Sequence, residues 1–354
     1  MIEIDGSHYS GSGTIVRQAV AFAALTGRAV HVVNARMRRP KPGLRPQHLR
    51  VVDAICQLAK GTVEGLHEGS RELVFRPGIG QVSQEERRFC WDIGSAGSTT
   101  MLALAVLPVL AFRQASTSVE IRGGLFQDFA PSIFHLQQVL LPLLRRMGLE
   151  AEAEMGRPGY VPRGDGILYL TVHPLRQPLR GLSLQEPGIV KRIWGIALSS
   201  HLDERRVSRR MAEAAKQVLG GAGYHAEIEE RNDTDALQPG AALAVFADLE
   251  GTARLGADQA GALRRPAEAI GKHVAKQLLE DLHSGATLDR FAADQIIPFA
   301  ALAAGESRFA IPTVTEHVGT SAWLAKMFLG AEVRADRWLS IAGVGFHPMP
   351  DDAP

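Results

Sequence analysis

Apolar positions along the chain follow two alternating periods. Helical spacing marks residues 14–25, 46–60 and 99–112, with strand-like runs between them at 2–4, 29–33, 62–64, 72–75 and 118–121. This alternation predicts an α/β or α+β architecture. The first helix follows a Gly/Ser-rich turn (residues 6–13, GSHYSGSG) and stops at Gly27. The same order returns after a second small-residue turn at 93–98 (IGSAGS): helix 99–112, strand 118–121, helix 131–147, then strands 150–154 and 167–172. It returns again near the C-terminus as helix 288–304, strand 308–311, helix 317–328 and strands 331–335 and 338–342. Three units of roughly 70 to 80 residues predict an internally repeated large domain, in which each unit buries a helix face it could not bury alone. That domain is expected over 1–187 and 286–354. A small inserted α/β domain is expected at 188–285, before the third unit. Its strands are predicted at 189–197, 224–229 and 241–248, and its helices at 204–219 and 266–282. The Gly/Ala/Asp-rich stretch 251–262 reads as a mobile loop, and the tail after Gly345 as a frayed end.

Composition adds bounds rather than identity. With 354 residues, 45% hydrophobic and 22% charged, the chain can bury a sizeable core. A net charge of +1 supplies no global field, so any nucleic-acid site must come from local clustering. Cys56 and Cys90 make neither a disulfide framework nor metal-ligand spacing. No signal-peptide pattern opens the sequence, and the longest apolar stretch, 101–112, is too short to span a membrane. A soluble, cytoplasmic protein is expected.

Four features carry chemistry. His317 lies where strand gives way to helix, in the segment TEHVGT. Unpaired backbone N–H groups and the positive end of the helix dipole disfavour imidazolium there and attract phosphate. A capping or surface histidine is the plainer alternative. The basic loop holds Arg36, Arg38, Arg39, Lys41 and Arg45, followed by Gln47, His48 and Arg50, with prolines at 40, 42 and 46. Its nearly one-signed charge suits a polyanion or triphosphate, though a solvated charged loop would share the composition. The two small-residue turns precede helices and can expose N–H groups to phosphate, but neither is a Walker A sequence. Tight helix–strand packing explains such turns equally. Asp294 and Gln295 are polar positions in an apolar helix, with Phe291 on a similar face. A ring beside a carboxylate can hold a purine nucleoside, and a core polar pair fits the same pattern.

Taken together, these motifs resemble the RNA 3′-terminal phosphate cyclase family over nearly the whole chain. The resemblance rests on residues 4–6 with 11–17, KPGL at 41–44 with QHL at 47–49, FRPG at 75–78, the turn at 93–98 with its helix to Pro108, Gly123 and Gly124 with Ala130 and Pro131, Gly159 to Gly166, Ala293 to Gln295 with Pro298, and His317. Short insertions fall near 82–88 and near Glu306. The family fold implies three βαβαββ-type units with a small α/β domain inserted before the third. The family activity implies ligase-type RNA processing. A histidine takes AMP from ATP, AMP passes to the RNA 3′-phosphate, and the 2′-OH closes a 2′,3′-cyclic phosphate. By resemblance, His317 is the nucleophile and Arg17, Arg36, Arg39 and Gln47 handle phosphates. Pro131 and Phe291 flank the adenine, Asp294 and Gln295 contact the nucleotide, and Lys41 and His48 belong to the same signature as RNA or phosphate contacts. ATP, an RNA 3′ end and a divalent metal (Mg²⁺ or Mn²⁺) are the implied partners. No membrane is implied, and a homodimer is compatible.

The sequence departs from the family pattern around the expected nucleotide. Ser10 stands where a metal-binding glutamate is usual, and a hydroxyl is a weaker ligand for a hard cation. Phe291 replaces a frequent tyrosine, Ser321 an asparagine and His135 an aspartate, while residues 125–128 lack the usual Thr and Asn. A divergent cyclase is therefore expected. Three other readings compete with it: a cyclase-like RNA-binding assembly factor without catalysis, an enolpyruvyl transferase built from related α/β units, and adenylylation of another polynucleotide end.

Overall fold

A computed structural model describes residues 1–78, 87–251 and 253–347. The insertion expected near 82–88 lies largely outside the described residues, as does the tail from 348 onward. Four mixed four-stranded sheets carry the chain.

In the first sheet, Ile2–Asp5 pairs in parallel with Val30–Val33. Leu73–Arg76 pairs antiparallel with Val30–Val33, and Thr62–Glu64 forms the far edge. In the second, Arg88–Asp92 and Thr117–Gly123 are the parallel pair, followed by Gly166–Val172 and Ala151–Arg157. In the third, Ser183–Leu184 and Ala304–Ala310 are parallel, followed by Trp338–Val344 and Glu332–Ala335. These three sheets share one order and one set of strand senses. The fourth differs: Ala226–Asp233, Val190–Ser200, Gly240–Leu249 and Arg254–Ala260 lie in that order, with the parallel pair first.

Helices join the first three sheets. Gly13–Thr26 packs on Pro46–Leu58, Thr99–Ala111 and Glu316–Leu329, so elements from all three meet along it. Every residue of Thr99–Ala111 is buried, which is why its sequence is apolar all round rather than on one stripe. In the fourth sheet, Val207–Gly221 and Ala267–His283 pack on each other and on the strands. Among the described residues, no helix is long and apolar enough to cross a membrane.

Two local expectations are corrected. The stretch 251–262 contains the strand Arg254–Ala260, fully paired with Gly240–Leu249. Its small residues serve close packing: a Cβ at Gly256 would sit 3.0 Å from Val139 Cγ2 and 3.1 Å from His135 Cδ2. The helix expected at 288–304 is two short pieces, Ala292–Gln295 and Ile297–Leu302, and the chain is already strand at Ala304.

One buried ion pair fastens the fourth sheet to the others. His135 and Asp289 are both fully buried, with Nε2 3.0 Å from the carboxylate. Asp289 also accepts from the backbone N–H groups of Gly256 (2.9 Å), Phe291 (2.9 Å) and Ala292 (2.8 Å). Burial opposes the charged form of each partner, but their mutual attraction prevails. The His135 ring is held above the ordinary histidine range and the Asp289 carboxyl below the ordinary carboxylate range. Removing one side would leave a charge and several donors unpaired. We expect Asp289→Asn to lower stability by about 3–5 kcal/mol, read from urea unfolding midpoints at neutral pH; a change within experimental error would show that the pair is dispensable.

Candidate active site

Three long helices direct their N-termini into one cleft. Ser12, Ser98 and Thr315 are the caps, each in extended backbone. Their hydroxyls accept from the N–H groups of Thr14 (3.3 Å), Met101 (3.1 Å) and Val318 (3.1 Å). Ser-rich turns supply such caps because the side-chain oxygen replaces the missing intrahelical acceptor. Neither Gly13–Thr26 nor Thr99–Ala111 has an acidic residue in its first turn, so their positive dipole ends stay unneutralised and favour anions. The three caps line a cleft of about 530 Å³.

The same cleft gathers residues distant in sequence. His317, Arg17, Arg36, Arg39, Gln47, His48, Pro131, Phe291, Asp294 and Gln295 all line it. His317, the second residue of Glu316–Leu329, places Nδ1 3.1 Å from Thr14 Oγ1. Burial, with Arg17 and Arg39 nearby, lowers its pKa to about 4, so the ring is neutral at physiological pH with a lone pair on one nitrogen. Thr14 Oγ1 also accepts from Arg17 Nη2 at 3.1 Å, which joins the histidine to the buried guanidinium through one hydroxyl.

The cations are close enough to repel one another. Arg17 is buried, and its pKa falls to about 10 through desolvation, with Arg36 and Arg39 adding to the drop and Asp294 opposing it. It remains a cation at neutral pH. Arg36 has left-handed backbone (φ 59°) and donates to the carbonyls of Lys41 (2.9 Å) and Gly43 (2.6 Å), which curls the basic loop around its own guanidinium. The nearly one-signed charge of this segment is partly compensated from elsewhere. Arg38 pairs with Glu316, Arg45 with Glu68 and Arg50 with Asp53, at 3.0, 3.0 and 2.8 Å. Lys41 is exposed and does not line the cleft.

His48 is buried, and its Nδ1 accepts from the Arg45 N–H at 3.2 Å. Burial and the Arg17 and Arg36 charges hold its pKa well below the ordinary value, so the ring is neutral and its proton resides on Nε2. A Cβ at Gly13 would lie 2.1 Å from that nitrogen, which makes glycine necessary at the head of the first helix. Gln47 Oε1 accepts from the Ser98 N–H at 3.0 Å and ties the basic segment to the second small-residue turn.

On the opposite side, Asp294 accepts from Gln295 Nε2 at 2.6 Å. Burial lifts its pKa to about 7, against the pull of Gln295 and Arg17. Phe291 sits edge-on to His135, with ring centroids 5.8 Å apart and planes at 82°. Ser10 lies off the cleft lining, with its hydroxyl 2.9 Å from those of both Ser12 and Thr320. Among the described residues no group of three His, Cys, Asp or Glu side chains could hold a metal ion. Asp128 at the cleft is engaged by Arg265. The donors among the described residues thus form no protein-held divalent site, and the cleft's positive lining comes from guanidinium groups and helix ends.

Several residues at the cleft carry little signal in the sequence. Thr14 bridges Arg17 and His317, and its only sequence signal is that it precedes Arg17 by three positions on one helix. Ser12, Ser98 and Thr315 cap three helices whose convergence no local pattern announces. Arg290, Phe129 and Asp128 also line the cleft and had no motif to mark them.

Comparison with known proteins agrees with this geometry. The profile of the family described as RNA 3′-terminal phosphate cyclase matches residues 8–335. A protein of that name from Hyperthermus butylicus is 41% identical over 94% of this chain and 93% of its own length. Relatives of the same name from Pyrococcus abyssi and Pyrococcus furiosus are each 37% identical over 93% of this chain and 94% of theirs. Among solved structures, an EPSP synthase from Acinetobacter baumannii aligns with 93% of this chain and 61% of its own, at 12% identity and a TM-score of 0.30, too weak a likeness to bear on function. A family match over residues 8–335 and relatives of this identity over more than nine-tenths of the chain place it in the RNA 3′-terminal phosphate cyclase family.

Proposed function

We propose that this chain converts an RNA 3′-terminal phosphate to a 2′,3′-cyclic phosphate at the expense of ATP, through a covalent His317–AMP intermediate. The observation that carries the reading is a neutral histidine at a helix N-terminus, facing a cleft lined by Arg17, Arg36 and Arg39. With Nδ1–H donating to Thr14 Oγ1, the Nε2 lone pair is free to attack the α-phosphorus of ATP. The N–P bond forms as the bond to the bridging oxygen breaks, and pyrophosphate leaves. An oxygen of the RNA 3′-phosphate then displaces His317 from AMP and forms a mixed anhydride. The adjacent 2′-OH attacks the activated phosphorus, loses its proton and expels AMP.

The chain's part is positioning and charge stabilisation. Arg17, Arg36 and Arg39, the helix ends and the His48 Nε2–H face the phosphates, with Gln47 holding the second turn in place. Pro131 and Phe291 flank the adenine, with Asp294 and Gln295 against the nucleoside, and Lys41 meets the RNA outside the cleft. Every residue lining the cleft falls within 12–131 or 290–317. That supports a catalytic body of 1–187 and 286–354, with 188–285 as an insertion. A second reading, RNA binding without catalysis, draws on the missing carboxylate at Ser10.

Incubation with α-phosphate-labelled ATP and Mg²⁺ or Mn²⁺, followed by a denaturing gel, separates the two. Acid-labile label is expected on the wild type and absent from His317→Ala, and Arg39→Ala should slow labelling by about 100-fold. A wild type that stays unlabelled with both metals would overturn the proposal in favour of RNA binding alone.

The pH profile of labelling is a second test. A ring pKa of about 4 leaves His317 deprotonated at every pH above that value, so its acid limb should fall near 4 rather than near the ordinary 6.5. Arg39→Ala removes a neighbouring positive charge and should move that limb upward. An acid limb near 6.5 in the wild type would contradict the desolvated, cation-flanked ring.

A further inference from the structure

Phe129 stands out at the mouth of the cleft. It is 97% exposed, yet it lines the same cavity as His317, Arg36 and Arg39. Its backbone lies in the left-handed region (φ 66°), where a bulky residue is strained. A large apolar side chain held in solvent on strained backbone gains nothing for the fold, and such outliers gather where a ligand uses them.

The segment around it is tied down on both sides. Asp128 receives a two-pronged contact from Arg265 (2.9 and 2.7 Å), which also donates to the Ala260 carbonyl at 2.6 Å. Two residues beyond Phe129, the Pro131 carbonyl accepts from Thr100 Oγ1 at 2.6 Å, and the Ser132 N–H donates to Asp258 at 2.8 Å. The ring is therefore presented from a fixed loop.

We infer that Phe129 is the stacking surface for the base of the RNA's 3′-terminal nucleotide; this deepens the function proposed above and rests on it. A mononucleotide in a cleft buries most of its surface, and Pro131 and Phe291 already supply walls for its base. The polynucleotide must leave the cleft toward solvent, where Phe129 projects. An aromatic face accepts any base, because every base has a π-face. The ring thus gives affinity for a strand end without reading sequence, while the arginines hold the terminal phosphate.

The experiment measures equilibrium binding of a fluorescent RNA ending in a 3′-phosphate, with either a normal or an abasic terminal nucleotide. Wild type, Phe129→Ala and Phe129→Trp are compared, and each is also assayed for ATP labelling without RNA. Phe129→Ala should weaken binding of the normal end by roughly 5- to 100-fold, and Phe129→Trp should retain it. On the abasic end, wild type and Phe129→Ala should bind alike. Labelling of His317 and the melting temperature should be unchanged, because the ring is in solvent. Unchanged RNA affinity would overturn the inference and leave the ring to a protein partner. Equal weakening on both RNAs would overturn it in favour of a loop effect, and a parallel loss of ATP labelling would assign the ring to the nucleotide. A wild type that never labels counts against the catalytic reading alone, since the binding comparison does not depend on it.

Discussion

The buried Arg17 guanidinium governs the chemistry of its surroundings. It lines the cleft, donates to Thr14, and has Asp294 as the buried carboxylate that acts on its charge. In a medium of low polarity such a charge acts on every neighbour. It disfavours protonation of His317 and His48 and opposes the upward drift of Asp294. Burial, reinforced by this cation, keeps two imidazoles neutral, while the cation's own positive field remains available to an anion. Pairing it with a nearby carboxylate would stabilise the free protein, but it would cancel both effects.

The fold makes this arrangement affordable by distributing it. The helix N-termini contribute partial charges on backbone groups that cannot move away, and each comes from a different sheet. The backbone approaches His48 at Gly13, where a side chain would collide with the ring. Arg38 holds the backbone of Tyr9 and the carboxylate of Glu316, which clips the basic loop to both the first turn and the helix of His317. The repulsion among Arg17, Arg36 and Arg39 is thus borne by packing between sheets rather than by local ion pairs. Binding a polyanion would relieve it, so the free cleft favours an anionic ligand.

Sequence periodicity exposed the elements well where composition and environment agree. A capped apolar run such as residues 99–111 can only be a buried helix, and the small-residue turns announce their helices through Ser12 and Ser98. Legibility failed where small residues serve contact rather than flexibility. Gly256, Ala257 and Asp258 have loop-like composition, but they form a strand because the helix bearing His135 and Val139 presses on them. Likewise, Asp289 delays the start of the expected helix to Ala292 by drawing the Phe291 and Ala292 N–H groups to its own carboxylate, which His135, more than 150 residues upstream, holds in place. The acidic partners of Arg38 and Arg45, Glu316 and Glu68, are also remote, so the loop's charge looked less compensated than it is.

The residues that no motif marked share a physical trait. Thr14, Phe129 and Arg290 reach the cleft through position relative to other segments, and their chemistry alone is commonplace. Thr14 matters because its hydroxyl lies between a guanidinium and an imidazole, and that depends on two helices whose contact residues are 303 positions apart. His317 and the arginines, by contrast, carry rare combinations of charge and spacing that stand out in one dimension. His317 and its surrounding charge were therefore legible before the fold, whereas the neighbours that complete the cleft become visible only when the helix ends converge.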